Sequence, residues 1–314
     1  FNAFSGSKEN IEKAQTYLKG KGLTNLQRKQ LESILYSAAG GPETIKEIVK
    51  EKIAAEDAQN TKLFGHEYIL GGKSVSTNKL DDILSKSTDL DERLRAWEVS
   101  KTVGKELKGG LENLRRLRNK SVQALGYNNY FHYQVSDYGI SSADMLKECR
   151  DMIKGIWPLY RELHTFTRYE LAKKYKQEVP EMLPAHWLPN RWGQEWKGIV
   201  PASDGIDLDA ILATKSKEWI VEKGEEFYVS MGLPKLPKSF YEKSSLYPLP
   251  EGADYKKNNH ASAWHMDNDT DVRSLMSIEP NTRWWGTTLH ELGHIYYYMA
   301  YSNDSVPLIL RGGA

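Results

Sequence analysis

Apolar residues recur at helical spacing along most of this chain. The clearest run is Leu90, Leu94, Trp97, Leu107, Leu111, Leu114 and Leu125, with Ser87, Thr88 and Asp89 ahead of it as candidate N-caps. It predicts one long helix, or two joined near Gly109-Gly110, where paired glycines weaken helical continuity. A second run, through Met145, Ile153, Leu159, Leu163 and Tyr169, starts from Ser141, whose partner Asp144 resembles a capping box; Pro158 is a candidate kink. Further helices are predicted over about 8–18, 25–37, 42–57, 208–231 and 282–301. Alternating strand patterns are scarce, so the predicted fold class is mainly α. Over about 179–205 and 232–259, Pro, Gly and aromatic residues break the periodicity, which marks stretches that cross the surface or line a cleft. Gly40-Gly41-Pro42 and Gly71-Gly72 read as turns. With no repeat, low-complexity tract or linker to mark a boundary, residues 1–314 read as a single domain.

Composition narrows the function classes. A chain of 314 residues can bury a substantial core. Lys and Arg total 43 against 42 for Asp and Glu, and no basic run interleaves with aromatics, so a nucleic-acid groove is excluded. No apolar stretch reaches the roughly 20 residues of a membrane span, and the start FNAFSGSKEN lacks a signal-peptide pattern. Cys149 is the only cysteine, which rules out an intrachain disulfide and a Cys-ligated structural zinc; its spacing with Met145, Met152 and Ile153 predicts a core position. The 9 Trp and 18 Tyr suit either a large core or a cleft lined by rings.

The chemistry concentrates in HELGH at 290–294. Residues four apart share a helix face, so His290 and His294 can hold one metal while Glu291 reaches a water beside it. The pattern arises by accident in a chain of this length about 1 time in 100. The alternative is an ordinary buried helix: Leu289, Leu292, Ile295, Tyr296 and Met299 make it apolar on most of its circumference. Burying two imidazoles and a carboxylate together would cost several kcal/mol without a compensating cation, which favours the metal. A catalytic zinc takes three protein ligands. The third histidine of metzincins is absent, with Tyr297 at the glycine position and Ala300 at the histidine position, and no Glu follows His294. Taken singly, His260 reads as a satisfied loop histidine and Gln194 as a polar residue between Trp192 and Trp196. His132, His164, His186 and His265 read as structural, and Trp284-Trp285 as packing at the start of the HELGH helix.

Several segments together resemble one family. LRAWE at 94–98, LPAHWLPNRWGQEW at 183–196, EEFYVSMGLP at 225–234, HASAW at 260–264, HELGHIYYYMAY at 290–301 and LRGGA at 310–314 stand in the order found in the angiotensin-converting-enzyme family of peptidyl dipeptidases, metallopeptidase family M2. From about residue 68 onward the chain resembles that family. The resemblance implies a gluzincin-type, two-lobed helical ellipsoid with a deep active-site cleft. Residues 1–130 would supply lid and outer helices, and 131–314 the cleft with its zinc helix. It implies a chain truncated at both ends, with a Glu beyond Ala314 as third ligand, so that this part alone would be inactive and the remaining C-terminal part would be its partner.

The resemblance also assigns roles. His290 and His294 would bind one Zn2+, and Glu291 would act as base and then as proton donor. His260 would donate to the substrate carbonyl, the backbones of Ala261 and Ala263 would pair with an extended peptide, and Gln194 would hold the peptide's terminal carboxylate. Short peptides are the implied substrates, and many relatives depend on chloride. Asn259 and Ser277 replace a cysteine pair of animal members, which points to a bacterial-type member; a periplasmic or secreted site is favoured over a cytoplasmic one. The expected activity is release of C-terminal dipeptides. One rival is a carboxypeptidase of the same family, which carries Arg at the position of Gln194. The other is a non-catalytic peptide-binding relative, which would be expected to have lost part of the intact His290, Glu291 and His294 set.

Overall fold

The computed structural model describes residues 2–194, 196, 199, 207–250 and 252–312, with side chains from residue 4 onward. The chain runs through α1 (Asn2–Ser5), α2 (Lys8–Leu18), α3 (Asn25–Ala39) and α4 (Lys46–Gly65), then a hairpin of β1 (Tyr68–Leu70) and β2 (Lys73–Val75). It continues through α5 (Thr77–Lys86), α6 (Leu90–Lys101), α7 (Val103–Gln123), α8 (Tyr130–Ser136) and α9 (Ser142–Tyr175). The remainder comprises α10 (Leu208–Leu212), α11 (Lys217–Ser230), α12 (Lys238–Lys243), the antiparallel pair β3 (Ser262–His265) and β4 (Val272–Leu275), and α13 (Thr282–Tyr301). The fold is mainly α.

Local chemistry explains most of the boundaries. The Asp89 carboxylate accepts from the Asp91 and Glu92 amides to start α6, and the Ser141 hydroxyl accepts from the Asp144 amide to start α9. Gly71 and Gly72 have φ of 59° and 79°, the left-handed pair that a tight hairpin turn requires. Two expected continuities fail. The run from Leu90 breaks at Thr102, not at Gly109-Gly110, because Thr102 turns its amide and hydroxyl back onto the Val99 carbonyl. Gly110 stays helical and serves close packing: a Cβ there would meet the Gln59 side chain of α4 at 1.7 Å. The predicted helix over 208–231 is two helices, because the Ser216 hydroxyl accepts from the Trp219 amide and starts a new one. The periodicity also missed the short helices α5, α8 and α12.

The chain folds as two compact units, Phe1–Glu12 with Leu35–Asp204, and Lys13–Ile34 with Gly205–Ala314. In the first, Tyr68, Leu80, Ile83, Ala96 and Val103 form one core cluster, and Leu171, Ala172, Tyr175, Trp187 and Leu188 another. Only the last part of α9 is buried, at Thr167, Leu171, Ala172 and Tyr175. Cys149 is exposed, as are Met152 and Ile153, contrary to the core position its spacing predicts. Apolar spacing marks a face that can be covered, and no described element covers that one.

Segment 184–193 of the first unit is tied down by charge. Arg93, only 2% exposed, donates to the carbonyls of Ser87, His186 and Leu188 at 2.8, 2.8 and 2.9 Å. The Lys101 ammonium donates to the Arg191 carbonyl at 2.6 Å, and Arg191 forms a bidentate pair with Asp81 at 2.6 and 3.1 Å.

The core of the second unit joins Ile220 and Val221 of α11, Phe240 of α12, Val272, Met276 and Ile278 in and after β4, and Leu292, Ile295 and Tyr296 of α13. The α13 helix packs against α11, β3 and β4.

Candidate metal and catalytic site

Helix α13 begins at Asn281, whose side chain accepts from the Trp284 amide at 2.9 Å. Trp284, Thr288, Glu291, Leu292, Ile295 and Tyr296 form its buried face. Trp284 enters the core and Trp285 stacks on Trp219, which is the packing role expected of this pair. His290 and His294 lie on the exposed face. Glu291, 6% exposed, therefore bears the cost of desolvation expected of this helix, and the two exposed imidazoles do not.

Two glycines let α11 lie close against this helix. A Cβ on Gly224 would meet Leu292 Cδ1 at 2.8 Å, and one on Gly293 would meet the Tyr228 hydroxyl at 2.9 Å. That hydroxyl donates to the Leu289 carbonyl at 2.7 Å, one residue before His290. Glycine within a helix costs about 1 kcal/mol relative to alanine, so Gly293 is retained against propensity by this contact. Gly293→Ala should therefore destabilise by about 1–3 kcal/mol as overpacking. In a Tyr228→Phe background, where the nearest remaining ring atom to the new Cβ is Cζ at 3.8 Å, the same change should cost less than about 1 kcal/mol. Chemical denaturation of the four proteins of this cycle measures the coupling; equal costs in both backgrounds would refute the contact.

The two imidazoles of this helix converge. His290 Nε2 and His294 Nε2 are 3.1 Å apart, with their rings nearly perpendicular at 82°. Burial raises the pKa of Glu291, and the charges of His290, His294 and His260 oppose that rise. His260, exposed at the entrance to β3, thus belongs to the same electrostatic cluster; its amide donates to the Asn258 side chain at 2.9 Å. Ala261 and Ala263 are half-buried against the core, and Ala263 pairs with Ser274 in the β3–β4 register. β3 pairs with β4 alone among the described strands, so its other edge has no strand partner there. Gln194 is exposed and belongs to the other unit, directly after the tethered segment.

Tyr298 is the residue the sequence reading missed. Its ring stacks on His294 and His265, at centroid distances of 6.3 and 5.4 Å, and its hydroxyl donates to the Ala263 carbonyl at 3.4 Å. The signal was available: Tyr298 continues the stripe of His290 and His294 by a further four residues. His265, 5% exposed at its side chain, lies between Tyr298 and the Tyr301 hydroxyl, 3.0 Å away, consistent with its structural reading. Among the described residues no group of three or more His, Cys, Asp or Glu converges as a complete metal site.

Two convergent imidazoles and a buried carboxylate on one helix are the arrangement of an HExxH metallopeptidase. A profile of the M2 peptidase family, described as angiotensin-converting enzyme, matches residues 7–314, and the chain belongs to that family. It is 34% identical over 247 residues to an angiotensin-converting enzyme of Theromyzon tessulatum, a match covering 75% of this chain and 39% of that protein. It is 30% identical over 258 residues to the angiotensin-converting enzyme-related protein of Drosophila melanogaster, covering 75% of this chain and 40% of that one. It is 31% identical over 242 residues to the angiotensin-converting enzyme-like protein Ace3 of Mus musculus, covering 72% and 32%. The chain thus spans two fifths or less of the length of these relatives. No described helix is long and apolar enough to cross a membrane.

Proposed function

We propose that this chain contributes the metal-binding helix and a substrate strand to a zinc peptidyl dipeptidase. The observation that carries the reading is the approach of His290 Nε2 and His294 Nε2 to 3.1 Å on the face next to buried Glu291. His290 and His294 would hold a zinc ion through these two nitrogens, whose separation is close to that of two ligands sharing one ion. A Glu from outside this sequence completes the ligand set in this proposal. Zinc, when bound, supplies Lewis acidity for the peptide carbonyl and makes the attacking water more acidic.

The chain's own residues do the rest. Glu291 accepts the proton of the attacking water and returns it to the departing amine. His260 donates a hydrogen bond to a substrate carbonyl. The edge of β3 that no described strand pairs with, at Ala263 and at Ala261 just ahead of it, accepts an extended peptide as an added strand, which orients the substrate through main-chain groups and tolerates varied side chains. Gln194, a neutral donor at the position where the single-residue branch carries Arg, binds the terminal carboxylate two residues beyond the cut.

Product analysis tests the assignment. The full-length protein should release dipeptides from a peptide blocked at its N-terminus. Gln194→Arg should release less dipeptide and more free amino acid, because a bidentate guanidinium holds the carboxylate in a different place. Free amino acids as the main wild-type product would move the protein to the carboxypeptidase branch.

A further inference from the structure

Lys257 stands three residues ahead of His260 and belongs to no motif of the sequence. Its ammonium donates to the carbonyls of Tyr247 at 2.6 Å and Ser245 at 3.2 Å, and closely to that of Met276. An ammonium has three N–H donors, and each has an acceptor here. The acceptors lie on two stretches already paired through their backbones. Ser245 N donates to Ser274 O at 2.9 Å, Met276 N to Ser245 O at 2.7 Å, and Ile278 N to Leu246 O at 3.0 Å. The second stretch begins in β4, which pairs with β3 at Ser262–Leu275 and Ala263–Ser274. Leu246, Met276 and Ile278 are buried in the same core as Leu292 and Ile295 of α13.

The side chain is half-buried, and burial lowers its pKa. A cation withdrawn from water is stabilised by hydrogen bonds stronger than neutral ones, and three carbonyls supply them. The segment from Lys257 to Ala261 has no regular ladder of its own until β3 begins at Ser262. The ammonium therefore fixes the start of this segment to the core three residues before His260.

We propose that Lys257 is a positioning residue, whose ammonium ties the approach to β3 onto residues 245–247 and 274–278 and so sets where His260, Ala261 and Ala263 stand relative to α13. The positioning role rests on the reading that these residues meet substrate; the clamp itself does not.

The full-length protein tests both parts. In the wild type, Lys257 should resist reductive methylation, whereas exposed Lys256 should react. Lys257→Met should speed amide exchange at Met276, Ile278 and β3 by about 10- to 100-fold, with exchange in α5 and α6 unchanged. With a blocked peptide it should raise KM about 10-fold with zinc content unchanged and a smaller change in kcat; Lys257→Arg should recover part of this. Methylation of Lys257 at the rate of Lys256, or unchanged exchange in Lys257→Met, would overturn the clamp. Faster exchange with unchanged KM would reduce Lys257 to a fold-stabilising residue and overturn its positioning role. If Lys257→Met does not fold, methylation of the wild type decides the clamp. A wild type without peptidase activity would instead refute the functional reading, and the clamp would stand or fall on methylation and exchange.

Discussion

On the proposed function, Glu291→Gln in the full-length protein should keep stoichiometric zinc while kcat falls by about 100- to 10,000-fold, the usual contribution of a positioned proton acceptor. Glu291 is placed off the ligand pair by the helix itself, since it faces the buried side of α13 while the two imidazoles converge on the exposed side. Its side chain lies on the buried margin of α13, beside Leu292 and one position from His290. Glutamine fills the same volume and cannot ionise, so neither packing nor the burial of charge opposes folding of the variant. Only the ability to accept a proton is removed. Metal analysis, thermal denaturation and turnover on one preparation separate these effects. A variant retaining more than about a tenth of wild-type kcat would show that Glu291 is not the base.

The largest loss of stability is expected at the other unit, from Asp81→Asn. Asp81 and Arg191 form a bidentate pair with side chains only 10% and 11% exposed. Lys101 is held close by, with its ammonium on the Arg191 carbonyl. Burial and then the Arg191 charge lower the pKa of Lys101, while the Asp81 charge opposes both. Neutralising Asp81 therefore leaves two cations together away from water. Breaking a buried pair in this way costs about 3–5 kcal/mol, which for a unit of this size lowers Tm by roughly 10 °C. Asp81→Asn combined with Arg191→Met should recover much of the loss, because the orphaned charge is gone. Calorimetry on the single and double variants measures it, and a single-variant loss below about 1 kcal/mol would mean that the pair is solvated in solution.

The anchored segment and the clamp have one physical feature in common. Arg93, Lys101 and Lys257 each direct a buried or half-buried cation onto backbone carbonyls. In each case one partner of the tie, residues 184–193 or residues 257–261, lacks an α-helical or sheet ladder of its own, so the side-chain donor supplies part of what regular structure would. These two stretches lead to Gln194 in one unit and to His260 in the other, the residues that the proposed function assigns to substrate.

The amino-acid sequence by itself determined whatever depends on neighbours within a few positions. The caps at Asp89 and Ser141, the turn at Gly71-Gly72 and the single-helix pairing of His290 with His294 are local, because helix geometry brings i and i+4 together in any fold. Family membership was legible for the same reason, since its motifs are short and contiguous. Tertiary structure decided the rest. It turned α13 so that Glu291 faces the core and the imidazoles face outward, it kept Gly110 helical against Gln59, and it left Cys149 exposed. It also paired Asp81 with Arg191 across 110 positions and brought Lys257 to Met276. Periodicity shows that a face is apolar but not which element will cover it, and a charge's partner is fixed by packing of segments far apart in sequence.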